Sequence, residues 1–126
     1  MAAYTTLTLD TTAPAGVTLA INGGASSTAN TSVTADIATS DSPTTSYEMK
    51  LWGDVDGSDP NVQATEGASA WVPYATTQAL TLSAGQAEKT IDLKVRDDVG
   101  NESSTAPDTI ILSTGNSVRT LMWVGA

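Results

Sequence analysis

Three aspartates crowd one short stretch of the sequence, Asp54, Asp56 and Asp59, within the segment D-V-D-G-S-D-P. Closely spaced carboxylates in a loop are the ligands that Ca²⁺ prefers. The helix–loop–helix calcium motif places glycine sixth and glutamate twelfth, whereas Gly57 is fourth and Glu66 is thirteenth here. The stretch therefore leaves two interpretations, a calcium site at the three aspartates or a solvated turn held by their side chains.

A tryptophan next to this stretch is a candidate contact residue. Trp52 follows Leu51, so a strand that buries Leu51 would expose Trp52, and exposed tryptophans frequently contact partners. The alternative is that Trp52 lies on the sheet surface beneath the long connection from Gly53 to Ala70. That connection is either a functional loop or an insertion tolerated at a sandwich edge.

The most hydrophobic stretch of the chain lies close to its C-terminus, at Leu121, Met122, Trp123 and Val124. Two interpretations are open, and in both of them the same apolar area is buried. The cluster either buries against a neighbouring subunit or the surface of a larger assembly, or it folds back as an edge strand on its own domain.

The chain lacks the residue types that most enzymes use in catalysis. Histidine and cysteine are absent, which excludes a disulfide framework, a thiolate nucleophile and the commonest general base and metal ligands. Serine or threonine beside a lysine, or a pair of carboxylates, would have to serve instead, and no spacing singles out either arrangement. We therefore expect a protein that is not an enzyme and that has no cofactor apart from the calcium considered above.

The charge balance narrows the class of partner. Fourteen acidic residues against five basic ones give a formal net charge of -9. This charge repels phosphate backbones and anionic lipids, so neither nucleic acid nor a membrane is an expected partner. The segment Met1–Thr12 has neither the cationic start nor the apolar run of a secretory signal, which predicts assembly in the cytoplasm.

Alternation of apolar and polar residues with period two predicts the elements that must position these groups. Turn sequences such as Asn22-Gly23-Gly24 and Ala84-Gly85-Gln86 separate the runs, and no segment has helical periodicity. About seven short strands predict an all-β, immunoglobulin-like antiparallel sandwich over residues 1–114, with an extension at 115–126 and Trp71 as a central plug. The apolar members of the runs are Leu7 and Leu9; Val17, Leu19 and Ile21; Val33, Ala35 and Ile37; Tyr47, Met49 and Leu51; Leu80 and Leu82; Ile91, Leu93 and Val95; and Ile110 and Leu112.

The chain resembles the bacterial immunoglobulin-like repeats found in bacterial surface proteins and in tailed-phage particles. The similarity covers about residues 10–114, and its most specific part is the block K-V-R-D-D-V-G-N that ends at Gly100-Asn101. The residues that carry it are Asp10 to Pro14, Ile21 to Gly23, Thr31 to Thr34, Trp71 with Pro73-Tyr74, Leu82 to Gly85, and Lys89 to Asp97.

This resemblance implies a binding or spacing module built on a β-sandwich. A single copy without a signal or anchor favours a virion protein that decorates the capsid, with the major capsid protein or another virion protein as its partner. Self-association as a homo-oligomer fits such a role. The alternative is an adhesion module of a phage tail or bacterial surface that binds a carbohydrate or receptor, such as a host-surface glycan.

Overall fold

A computed structural model describes residues 9–113, and in this part of the chain every element longer than three residues is a β-strand. The expected all-β class is confirmed, with eight strands where about seven were predicted. Two 3₁₀ turns, Asn22–Gly24 and Glu66–Ala68, interrupt the strands. The strands are β1 (Thr18–Ile21), β2 (Ser27–Thr28), β3 (Ser32–Ala38), β4 (Glu48–Gly53), β5 (Val72–Pro73), β6 (Thr77–Thr81), β7 (Ala87–Arg96) and β8 (Ala106–Leu112).

The strands form two sheets that pack as a β-sandwich. One sheet has three strands in the order β1-β3-β6, and the other has five in the order β2-β8-β7-β4-β5. Neighbouring strands are antiparallel except for the short β2, which runs parallel to β8. The long strand β7 lies centrally in the five-stranded sheet, where Leu93 is opposite Leu51 on one side and Ala106 on the other.

The core lies between the sheets, and most of its residues are apolar positions that the alternation predicted; Val62 of the long connection is an addition. From Lys89 onward every second residue of β7 is buried, and Ile91, Leu93 and Val95 have no exposed surface. Strand β3 contributes Val33, Ala35 and Ile37 from the opposite sheet. The remaining core side chains are Leu19, Ile21, Met49, Leu51, Val62, Leu80, Leu82 and Ile110.

Two sequence expectations about the core are wrong. Trp71 is half-buried and does not belong to the core cluster, so it is not the central plug. Aliphatic side chains from both sheets occupy the middle of the sandwich instead. Leu9 was expected in a strand with Leu7, but it lies outside the strands with 83% of its surface exposed, and Leu7 precedes the described residues.

The turn between β7 and β8 has the structure that the K-V-R-D-D-V-G-N block predicts. Gly100 has a φ of 93°, a left-handed conformation that favours glycine. The Asp97 carboxylate accepts hydrogen bonds from the backbone of Val99 and Asn101, and the Asp97 N–H donates to the Asn101 carbonyl. The most specific part of the resemblance therefore ends in a hairpin turn that is held by hydrogen bonds among its own residues.

Candidate functional site

The long connection between β4 and β5, residues 54–71, organises the surface on which the candidate residues lie. It leaves β4 at Gly53, whose φ of 137° and close approach to Thr90 are accessible only to glycine. It then pairs with the free edge of β6, where Val55 is opposite Leu82 and the Asp56 N–H donates to the Thr81 carbonyl. It therefore seals one open edge of the sandwich before it crosses back over the five-stranded sheet.

Trp52 lies beside this returning segment. The connection runs parallel to β4 at Gln63, which is opposite Trp52, and the Gly53 N–H donates to the Gln63 carbonyl at 3.1 Å. Only 9% of the Trp52 surface is exposed. Trp52 is not part of the core cluster, but the expectation that its side chain is exposed is wrong. Its burial beside the connection agrees with the alternative interpretation.

Each of the three loop aspartates accepts a hydrogen bond from the protein, and they form no common carboxylate cluster in the described part of the chain. Asp54 accepts a hydrogen bond from the Thr90 N–H at 2.9 Å, across the sandwich edge. Asp56 accepts from the backbone and hydroxyl of Ser58, which hold its pKa below the usual value. Asp59 accepts from the Asn61 N–H. The bonds of Asp56 and Asp59 are those of Asx turns, whereas Asp54 bonds a residue far away in the chain. The calcium interpretation of these three residues stays a prediction, with no shared carboxylate cluster among the described residues to support it.

The described part of the chain does bring three carboxylates together elsewhere. Ligand oxygens of Asp10, Asp97 and Asp98 lie within 4.8 Å of one another beside the β7–β8 turn. Asp97 is buried, and its Oδ2 accepts a hydrogen bond from the Asn101 side chain, which also bonds the Asp10 carbonyl. Sequence reasoning missed this group because Asp10 is remote from the other two along the chain, and only the fold makes them neighbours.

The outer face of the five-stranded sheet carries a basic and aromatic cluster, formed by Lys50, Lys94, Arg96 and Trp71. The Arg96 guanidinium lies 4.3 Å from the centre of the Trp71 ring, and the Lys50 ammonium lies 5.0 Å from it. Both distances allow a cation–π interaction. Trp71 is thus the aromatic platform of a surface cluster, a role that its sequence neighbours did not reveal.

Acidic groups neutralise this cluster. Lys50 and Lys94 are directly opposite each other on β4 and β7, an arrangement that would be repulsive on its own. Glu66 relieves it, since its carbonyl accepts from Lys50 and its carboxylate from Lys94 at 3.0 Å. The bond to Glu66 is the main cause of the raised pKa of Lys94. Arg96 forms an ion pair with Glu48 through Nε and Nη2.

A cavity of about 380 Å³ opens on the other side of the connection, where it meets β3 and β6. Hydroxyl groups from both strands line it, including those of Ser32, Thr34 and Thr81. The connection contributes two carboxylates, Asp56 and Asp59. The sequence singled out these aspartates but could not show the strands that complete the cavity, because β3 and β6 precede and follow the connection in the chain.

The remaining sequence candidates lie outside the described residues. They are the apolar cluster Leu121, Met122, Trp123 and Val124, together with the whole extension 115–126. In residues 9–113, no helix has the length and hydrophobicity that a membrane crossing requires.

Comparisons with known proteins assign no family to this chain: no family model, no curated protein and no solved structure matches it significantly.

Proposed function

We propose that this chain is a non-enzymatic β-sandwich module that binds the surface of a tailed-phage particle as a capsid decoration protein. Its partner in this proposal is the major capsid protein or another virion protein, and its place is the outside of the virion. The resemblance of residues 10–114 to bacterial immunoglobulin-like repeats supports the proposal. A sandwich in which the sheet of β1, β3 and β6 lies opposite a sheet containing β7 and β8 is compatible with that resemblance.

The observation that carries the proposal is that the basic side chains of this domain are all bonded to other groups of the domain. All four basic residues between positions 9 and 113 bond within the domain: Lys50 to Glu66, Lys89 to Ser83 and Ala84, Lys94 to Glu66 and Glu102, and Arg96 to Glu48. Groups that are held in this way stabilise a scaffold and are poorly placed to move protons or attack a substrate. A durable scaffold is what a decoration protein supplies to a lattice.

Cosedimentation with purified capsids tests the proposal. We expect the full chain to pellet with the particles at a fixed stoichiometry, and a chain truncated after Asn116 to remain folded but to stay in the supernatant. Circular dichroism of the truncated chain checks its fold. If the truncated chain is folded and still binds, attachment through Leu121 to Val124 is wrong, and if the full chain never pellets, decoration itself is wrong.

The second candidate is an adhesion module of a phage tail or bacterial surface. The open cavity between β3, β6 and the connection favours it, because a concave and partly polar site is what recognition of a receptor or glycan needs. Gene position separates the two candidates. A gene beside that of the major capsid protein supports decoration, and a gene beside tail-fibre genes supports adhesion.

A further inference from the structure

The cavity between β3, β6 and the connection combines an apolar floor with an acidic rim. Val62 and Leu80 reach it from the core, where each is at least 95% buried, and Val55 adds a half-buried apolar wall. Asp56 is exposed and Asp59 is half-buried, so their carboxylates stand nearer to solvent than this floor. A ligand that enters would meet carboxylates first and aliphatic carbon below or beside them.

The two carboxylates keep acceptor capacity for a ligand. Oδ1 of Asp56 accepts both bonds from Ser58, and Oδ1 of Asp59 accepts the bond from Asn61. Within residues 9–113, the Oδ2 atom of each accepts no protein hydrogen bond. The lowered pKa of Asp56, caused by the Ser58 hydrogen bonds, keeps that group ionised at neutral pH. The cavity therefore has negative charge with unused acceptor atoms.

No lysine or arginine of residues 9–113 lines the cavity. Lys50, Lys94 and Arg96 lie on the outer face of the opposite sheet, bonded to Glu66, Glu102 and Glu48. Lys89, the fourth basic residue of this range, is buried and donates to the Ser83 hydroxyl and the Ala84 carbonyl. The electrostatic complement of the cavity must come from another molecule.

We infer that this cavity binds the side chain of a lysine or arginine on a protein partner. Such a side chain has an alkyl stem that packs against aliphatic carbon and a cationic head that bonds carboxylates. A side chain that lies across the cavity mouth would place its head at the rim carboxylates of Asp56 and Asp59 and its stem against the half-buried aliphatic wall at Val55. Hydroxyls of Ser32, Thr34 and Thr81 provide further acceptors for the three or more N–H donors of the head group.

Other ligand classes fit less well. An anion would meet Asp56 and Asp59 with no compensating cation. A metal ion would need several carboxylates converging within one coordination sphere, and the described residues show such a group only at Asp10, Asp97 and Asp98. No aromatic ring lines the cavity to stack on a sugar, since Trp52 and Trp71 lie on the other sheet.

The inference deepens the proposed function, because it rests on the chain acting by binding a protein, and it names the chemistry that one of its contacts recognises. Its test uses the isolated chain and a small probe, so its result is independent of cosedimentation with particles. A chain that pellets with capsids but does not bind the probe would refute the cavity alone.

The experiment is an NMR titration of the ¹⁵N-labelled full chain with Nα-acetyl-lysine N-methylamide. We expect saturable shifts of backbone amides that line the cavity, in β3, β6 and residues 55–62, with a dissociation constant on the order of millimolar. The norleucine analogue keeps the alkyl stem and lacks the ammonium, so it should bind at least about fivefold more weakly. Equal binding of the two probes would refute the inference.

Charge-removing variants test whether the carboxylates of Asp56 and Asp59 bind the lysine probe. Asp56→Asn and Asp59→Asn keep the Oδ1 acceptor of each Asx turn and remove the negative charge. Each should weaken binding of the lysine probe about two- to fivefold, the range of partly exposed ion pairs. Asp98→Asn, on the remote β7–β8 turn, removes the same charge and should leave the affinity unchanged. If all three variants weaken binding equally, the effect is net charge and the cavity is not the site.

Three further probes separate alternative occupants, and each can overturn the inference. Tighter binding of 1,5-diaminopentane at the same amides would identify a free polyamine site. Tighter binding of a methyl glucoside would identify a sugar site. Displacement of the lysine probe by an equal concentration of Ca²⁺ would identify a metal site. Weaker effects from all three support recognition of a protein side chain.

Discussion

Removal of the Asp97 carboxylate should destabilise the domain more than any other single charge change on its surface. Asp97 is 5% exposed and accepts three hydrogen bonds, from the Val99 N–H at 3.1 Å, the Asn101 N–H at 2.8 Å and the Asn101 side chain at 2.9 Å. A hydrogen bond to a charged group contributes about 1.5–3 kcal/mol. The exposed Val99 and the half-exposed Asn101 can rehydrate their donors when the acceptor is lost, so the net loss corresponds to about one such bond. We therefore expect Asp97→Ala to cost about 2–3 kcal/mol in free energy of unfolding.

The assay is urea unfolding followed by circular dichroism, with thermal melting as a second measure. A loss of this size corresponds to a melting temperature lower by about 10–15 °C in a domain of about one hundred residues. Asp98→Ala is the matched control, because Asp98 is exposed, and it should change the free energy by less than about 0.5 kcal/mol. Asp97→Asn should be intermediate, since it keeps one acceptor oxygen.

The pH dependence gives an independent check on Asp97. Burial alone would raise its pKa, but the hydrogen bonds from Asn101, Val99 and Gly100 outweigh burial and lower it below 3.8. A lowered pKa in the folded state means that the carboxylate stabilises the fold above the pKa of the unfolded chain and loses that effect as the pH falls through the folded-state pKa. The difference between wild type and Asp97→Ala should thus be constant from about pH 5 to 8 and shrink below about pH 4. Equal losses for Asp97→Ala and Asp98→Ala, or a difference that grows in acid, would refute the reasoning.

Three other predictions concern the core, the start of the long connection and a tyrosine. Leu93→Ala should cost about 2–5 kcal/mol in urea unfolding, because it empties a fully buried position on the central strand, and a loss below about 1 kcal/mol would contradict that packing. Gly53→Ala should cost at least about 2 kcal/mol, because its Cβ would overlap the Thr90 carbonyl at a positive φ, and a stable variant would contradict that path of the chain. The Tyr47 hydroxyl donates to Asp41 at 2.8 Å, and this bond, burial and the Asp41 charge raise the pKa of Tyr47 from 10.0 to about 12. The stability that results from this raised pKa should persist below pH 10 and disappear as the pH rises through 12. Ultraviolet titration should show that Asp41→Asn lowers the pKa of Tyr47, and an unchanged pKa would contradict the hydrogen bond.

The sequence predicted the core well because the side chains of a strand alternate between two faces. In β3 the residues Val33, Ala35 and Ile37 are buried as expected, and so are Ile91, Leu93 and Val95 in β7. The turn after Arg96 was also predictable, since glycine and Asx residues determine its conformation locally. These inferences needed no knowledge of residues far away in the chain.

The predictions for Trp52 and Trp71 were wrong because the environment of each side chain depends on contacts with residues distant in the sequence. Trp52 lies outside the core cluster, and its burial depends on the return of the connection at Gln63, on the far side of a loop. Trp71 is the last residue of that connection, directly before β5. Its contact with Arg96 depends on the pairing of β4 with both β5 and β7, a register that no short stretch of sequence encodes.

The connection between β4 and β5 contributes to two surfaces that differ in charge, one with paired basic and acidic side chains and one with carboxylates alone. Its second half supplies Glu66 and Trp71 to the outer face of the five-stranded sheet, where they hold Lys50, Lys94 and Arg96 in mutual contacts. Its first half places carboxylates over a cavity that contains no lysine or arginine. Three of the four basic residues between positions 9 and 113 thus stabilise one face, while no lysine or arginine lines the cavity on the other. Because that charge accumulates where apolar carbon is also accessible, the cavity face is the part of the described surface best suited to select a basic partner.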